Sequence, residues 1–167
     1  MTQSWKSPRH QEGSQTSGEG KSALATGLRL LGLRDHSRDE LERKLRRRYG
    51  ADEILVVLNK LCQIGLIDDA KFAVNFARTK LQLHRWGRQK IYFELLKRGV
   101  SRELSRSTTA NLPLADQQAA ADALVASRQK QWGDLLPLPN QQRRLIGLLS
   151  RRGFSWPIIH QALHRIR

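Results

Sequence analysis

The sequence predicts an all-α protein built from three tandem three-helix repeats. The first observation behind this is a template that occurs three times in 167 residues. Ile91, Leu95, Gly99 and Leu104 place two apolar residues one helical turn apart, a glycine one turn later and a further apolar residue beyond it. Leu41, Leu45, Tyr49 and Ile54 fall at the same spacings, as do Leu145, Leu149, Gly153 and Ile158. Residues four apart share a helix face, and glycine takes the positive φ that ends many helices at almost no cost. Self-similarity at about fifty residues marks stacked supersecondary units. The second observation is composition: aromatic residues make up 6% of the chain, while the good helix formers Leu, Arg, Gln and Ala dominate. The third is that two basic residues precede the turn position in every copy: Arg47 and Arg48, Lys97 and Arg98, Arg151 and Arg152.

Residues 1–22 hold Trp5 as their only large apolar group and read as a flexible tail, because they bury too little to offset the entropy of ordering. The first repeat is expected over 23–66. Its first helix spans Ala23 to about Leu33, with Leu24, Leu28 and Leu31 as the apolar stripe. Ser37-Arg38-Asp39-Glu40 reads as a capping box, in which serine and glutamate answer each other's free N–H groups. Tyr49 stands where a glycine is expected and Gly50 follows, so the second helix is expected to run one residue further. The third helix covers about Asp52–Ile64, with Ile54, Val57, Leu58 and Leu61 inward and Gly65 as its stop.

The second repeat is expected over 67–112, with Asp68 as N-cap of a helix carrying Phe72, Ala73 and Phe76. The chain then turns at Trp86-Gly87, runs helically to Gly99, and restarts from Ser101 as a short third helix. Pro113 opens the third repeat, 113–167. An alanine-rich helix over about Ala115–Lys130 leads to Trp132-Gly133, and GDLLPLPN reads as a longer loop. A helix from about Asn140 to Arg152 follows. The last helix is capped by Ser155, has Pro157 in its first turn, and carries Ile158, Ile159, Ala162, Leu163 and Ile166.

A hydrophobic content of 39% supports only small cores when divided three ways, so neighbouring repeats must bury surface against one another. The net charge of +15 favours polyanionic partners. No apolar run approaches the roughly 20 residues that span a bilayer, so no membrane role is expected. The N-terminus lacks the apolar core of a secretory signal. The lone Cys62 rules out an internal disulfide and reads as a buried, inert thiol in a reducing compartment. A cytoplasmic location is expected.

Catalysis has little support. His160 and His164 lie four apart on one helix face, but no acid or thiol is near them in sequence, so no metal site is expected. Asp68-Asp69 matches half of a two-metal nuclease site in residue type, yet a helix cap explains it better. No phosphate loop or nucleophile motif occurs, and neither cofactor nor enzymatic activity is expected. Each basic pair suits the end of a helix on dipole grounds alone. Residues 78–98, however, hold seven Lys or Arg against Glu94, more than capping requires, and read as a binding face. Trp86 and Trp132, at matching positions, read as packing residues in the elbows of their repeats rather than as base-stacking platforms.

LLGLRDHSRDELERKL (Leu30–Leu45), GLIDDAKFA (Gly65–Ala73) and RWGRQKIYFELLKRGVS (Arg85–Ser101), followed by LLSRRGF in the third repeat, resemble the bacterial RecX regulatory family. The likeness runs from about Ala23 to the end. Departures are Arg88, where the family usually has proline after Gly87, and Tyr49 in place of the first glycine. The resemblance implies an elongated, curved array of three-helix repeats that binds the RecA recombinase. It implies lodging in the filament groove on single-stranded DNA, blocking extension or promoting disassembly, and so restraining recombination, DNA repair and the SOS response. It transfers no catalytic set. Contact residues therefore come from charge alone: Arg85, Arg88, Lys90, Lys97 and Arg98 at the centre, extended by Arg47, Arg48, Arg151 and Arg152. A monomer with weak direct DNA binding is expected. The alternatives are a basic helical module binding DNA on its own and, more remotely, a metal-dependent nuclease.

Overall fold

The computed structural model describes residues 22–132 and 139–165, so the expected tail, most of the GDLLPLPN loop and Ile166 lie outside the described residues. Among the described residues the chain forms nine helices and no strand. These are α1 (Ala23–Leu33), α2 (Arg38–Leu45), α3 (Ala51–Gln63), α4 (Asp69–Gln82), α5 (Arg88–Lys97), α6 (Arg102–Ala110), α7 (Leu114–Trp132), α8 (Pro139–Arg151) and α9 (Trp156–His164). They fall into three units of three. The template positions Leu41, Leu45, Ile91, Leu95, Leu145 and Leu149 are all buried, and each pair anchors the core of its unit. Ile67, read as the first residue of the second unit, packs in the first core.

Helix ends follow elementary capping chemistry. Ser22, Ser37 and Ser101 accept bonds from the amides of Ala25, Glu40 and Leu104, and Asp68 accepts from those of Ala70 and Lys71. Ser155 occupies the N-cap position of α9 without a side-chain cap bond. Gly65, Gly99 and Gly153 have φ of 72°, 77° and 82°. The following amides return to carbonyls five residues back: Leu66 to Leu61, Val100 to Leu95 and Phe154 to Leu149. This is a Schellman stop, and it turns Val100 and Phe154 into the core.

Several expectations are corrected. The helix before Tyr49 does not run further: α2 ends at Leu45, and the Arg48 and Tyr49 amides both bond the Leu45 carbonyl. Gly50 caps α3 with an ordinary φ of −72°. On α1 the buried residues are Ala23, Thr26 and Gly27, while Leu28 is exposed. Close approach selects the small face, because a Cβ on Gly27 would lie 3.3 Å from a Leu61 methyl. The capping box is half formed: Glu40 turns from the Ser37 amide towards Arg34, 3.2 Å away. Cys62 is half-buried against the first core.

The units meet end to end at their middle helices, and α4 packs against α7 between the second and third units. At the α8–α9 turn the carbonyls of Arg152 and Gly153 accept bonds from the Gly87 and Gln89 amides, at 2.7 and 3.1 Å, where α5 begins. At the α5–α6 turn the Arg98 carbonyl accepts from the Ser37 hydroxyl where α2 begins. The Lys97 carbonyl accepts from Arg43 at 3.0 Å. The C-terminal end of each middle helix thus docks on the N-terminal end of the middle helix before it. Between α8 and α5 the carbonyls meet free amides at the start of α5, whereas between α5 and α2 the donors are side chains, the Ser37 hydroxyl and the Arg43 guanidinium. Glycine is required twice over, since a Cβ on Gly99 would overlap Asp39 and one on Gly153 would overlap the Lys90 backbone. In the first unit the turn carries Tyr49, whose hydroxyl lies 2.7 Å from Thr26 Oγ1 within the same unit.

Candidate polyanion-binding surface

The end-to-end row α8, α5, α2 positions the basic residues. Gly87, the N-cap of α5, sits so close to the third unit that a Cβ would overlap the Gly153 carbonyl and the Phe154 amide. That contact brings the start of α5, with Arg85, Arg88 and Lys90, beside Arg151 and Arg152 at the end of α8. Lys80 and Lys90 place their ammonium groups 5.1 and 4.5 Å from the Trp86 ring centroid, so the half-buried indole is a cation–π floor under the cluster. Trp86 and Trp132 pack against the second and third cores respectively, as their matching positions suggest. Arg85 holds a left-handed φ of 52°, uncommon outside glycine. Among the described residues none of these five cations forms an ion pair.

The other candidates separate from this cluster. Lys97 and Arg98 lie at the far end of α5, about 15 Å along the axis at 1.5 Å per residue. Lys97 is exposed and 3.1 Å from Glu94. Arg98 is mostly covered: its guanidinium stacks 4.6 Å from the Phe76 ring centroid and lies 3.6 Å from Glu40 and 3.8 Å from Glu94. Arg47 and Arg48 are exposed just beyond the end of α2. In the second and third pairs the two members therefore differ. Arg98 reaches the first unit through Glu40, and Arg152 reaches the second through the His84 carbonyl at 2.5 Å. Lys97 and Arg151, one residue earlier, remain exposed.

Sequence reasoning did not find the polar joint between the first two units. Asp69 accepts from the Arg38 amide at 2.8 Å, completing the N-terminus of α2, so the acidic pair Asp68-Asp69 caps two different helices. Glu40 gathers Arg34, Arg98 and the buried His36, whose Nδ1 is 3.4 Å away. Burial pushes the His36 imidazole below its ordinary value, helped by the charges of Arg34 and Lys44 and opposed by Glu40. Burial alone would raise the Glu40 carboxyl. The Arg34 hydrogen bond and the charges of Arg34, Arg98 and His36 outweigh it and hold the group below the usual range. The available signal was a second aspartate after an N-cap, a charge that the cap itself does not need. Among the described residues no group of three metal-ligating side chains occurs, and no helix is long and apolar enough to cross a membrane.

Known proteins agree with this architecture. The family model for the first three-helix domain of RecX matches residues 23–61, and that for the second matches 68–107. The regulatory protein RecX of Pelodictyon phaeoclathratiforme is 35% identical over 144 residues, covering 84% of this chain and 86% of that protein. The RecX of Mycolicibacterium vanbaalenii is 33% identical, covering 86% of this chain and 82% of its own length. In structure, RecX from Lactobacillus salivarius superposes with a TM-score of 0.75 at 23% identity, over 86% of this chain and 94% of that one. With two RecX domain models matched in order and relatives at 33–35% identity over more than four fifths of its length, the chain belongs to the RecX family.

Proposed function

We propose that this protein is a negative modulator of the RecA recombinase, acting by binding and not by catalysis. It lays the α8–α5–α2 row along the RecA filament on single-stranded DNA, blocks extension or promotes disassembly, and so restrains recombination, repair and the SOS response. Membership in the RecX family supports the target. The observation that carries the mode is the unpaired cluster Arg85, Arg88, Lys90, Arg151 and Arg152, with Lys97 and then Arg47 and Arg48 further along the row. Cations spread along a row suit an acidic, repeating groove, where several weak contacts to neighbouring subunits add up to avidity.

The exposed residues Arg47, Arg88 and Arg151 allow the surface to be tested without breaking a joint. Their combined change to Glu should raise the concentration that half-inhibits RecA's DNA-dependent ATP hydrolysis about tenfold or more, equivalent to about 1.4 kcal/mol, at about 0.15 M salt. The helical circular dichroism should not change. Undiminished inhibition would remove this surface from the mechanism, and an inert parent protein would remove the function. Tight binding to duplex DNA without RecA, with a log–log salt slope of about −4 to −5, would favour a DNA-binding module instead.

A further inference from the structure

We propose that His160 and His164 form a two-imidazole site for a divalent transition-metal ion, with copper(II) preferred. Both side chains are exposed on α9, one turn apart, and their Nε2 atoms share a hydrogen bond at 3.0 Å. Two nitrogens bonded to one metal at about 2.1 Å lie about 3.0 Å apart when the angle between them is 90°, and about 3.4 Å apart at the tetrahedral angle. The hydrogen-bonded pair therefore already stands near the spacing of adjacent ligands of divalent transition-metal ions, which on binding would displace the shared proton to solvent. Imidazole nitrogen suits these metals, and copper(II) heads the affinity order for such a donor set. Among the described residues neither ring meets a carboxylate, so the ring nitrogens and water supply the first shell. The ring centroids are 4.2 Å apart, farther than the two nitrogens, so the rings converge through their nitrogen edges. Trp156, one turn earlier, has its ring centroid 6.2 Å from that of His160 and acts as a built-in reporter, since copper(II) quenches nearby indole emission.

The test is a copper(II) titration of the full chain, followed by tryptophan emission, on the parent and on His160→Gln, His164→Gln and His84→Gln variants. The parent should saturate at one equivalent for the quenching that Trp156→Phe abolishes. His160→Gln and His164→Gln should each weaken that phase about tenfold or more, because one ligand of two is lost, and His84→Gln should leave it unchanged. All three histidine variants should keep the parent's helical circular dichroism, since these side chains are exposed. A titration unchanged in either α9 variant would overturn the site.

Discussion

A Cβ at Gly99 would enter the space held by Asp39 and would sit at φ of 77°. Left-handed strain of about 1–2 kcal/mol and overpacking combine there, so Gly99→Ala should cost about 2–4 kcal/mol in urea unfolding. Gly32, helical with nothing within 4 Å, gives the contrast: Gly32→Ala should raise stability by up to about 1 kcal/mol. Acid sensitivity is also set by single residues. Folding holds His36 below its ordinary 6.5, so the unfolded chain takes up that proton first. Its contribution is complete above 6.5 and is lost as pH falls towards the lowered value. Glu40, held below 4.5, contributes above that pH and is lost as pH falls through its own lowered value. The urea midpoint should therefore fall in two stages on acidification, and His36→Gln should flatten the upper stage while sparing the lower. Equal slopes in both proteins near pH 6 would contradict this role for His36. The glycine stops were legible in the sequence because a positive φ leaves a mark on residue choice. The Glu40 group was not, since contacts across 58 residues to Arg98 leave no local periodicity.

At the scale of helices, α2, α5 and α8 are the axis of the molecule and their ends are its joints. The paired basic residues should separate by mutation. Arg152→Ala loses a bond to the His84 carbonyl and should cost about 1 kcal/mol of thermal stability, whereas the exposed Arg151 should tolerate alanine within about 0.5 kcal/mol. The reverse order would mean that the joint is held elsewhere. Helix existence and order could be read from sequence wherever apolar spacing was regular, as in α3, whose Ile54, Val57, Leu58 and Leu61 are all buried. The stripe on α1 was legible in part: Leu24 and Leu31 pack against the first core, but Leu28 is exposed and Ala23, Thr26 and Gly27 take the fully buried positions. Backbone proximity to Leu61, which no pattern of hydrophobicity encodes, decides in favour of the small residues. The basic face was legible as charge density but not as two roles, because in the second and third pairs one position differs from the next only by the unit it meets.

For the whole molecule, a charge of +15 with an unpaired cluster at the second joint means that the folded chain repels itself. Raising salt from about 0.01 to 0.15 M shortens the Debye length from about 30 to 8 Å and should raise the melting temperature. The same change should weaken binding to a polyanion, so stability and affinity should move in opposite directions; parallel movement would mean that the cations are not the binding groups. The joints between units have a further consequence. Each of the two carries main-chain carbonyls to the start of the preceding middle helix, and the residue identity each demands in the docking turn is a glycine, Gly99 or Gly153. The coupling also reads side chains: the first joint is closed by Ser37, Arg43 and the Glu40–Arg98 pair, whereas the second is closed by the Gly87 and Gln89 amides. A second copy of residues 67–112 spliced in after the first should therefore present its Arg98–Gly99 turn to the first copy's Gly87 and Gln89 amides, and a melting temperature well below the parent's would mean that this turn needs the side chains of α2.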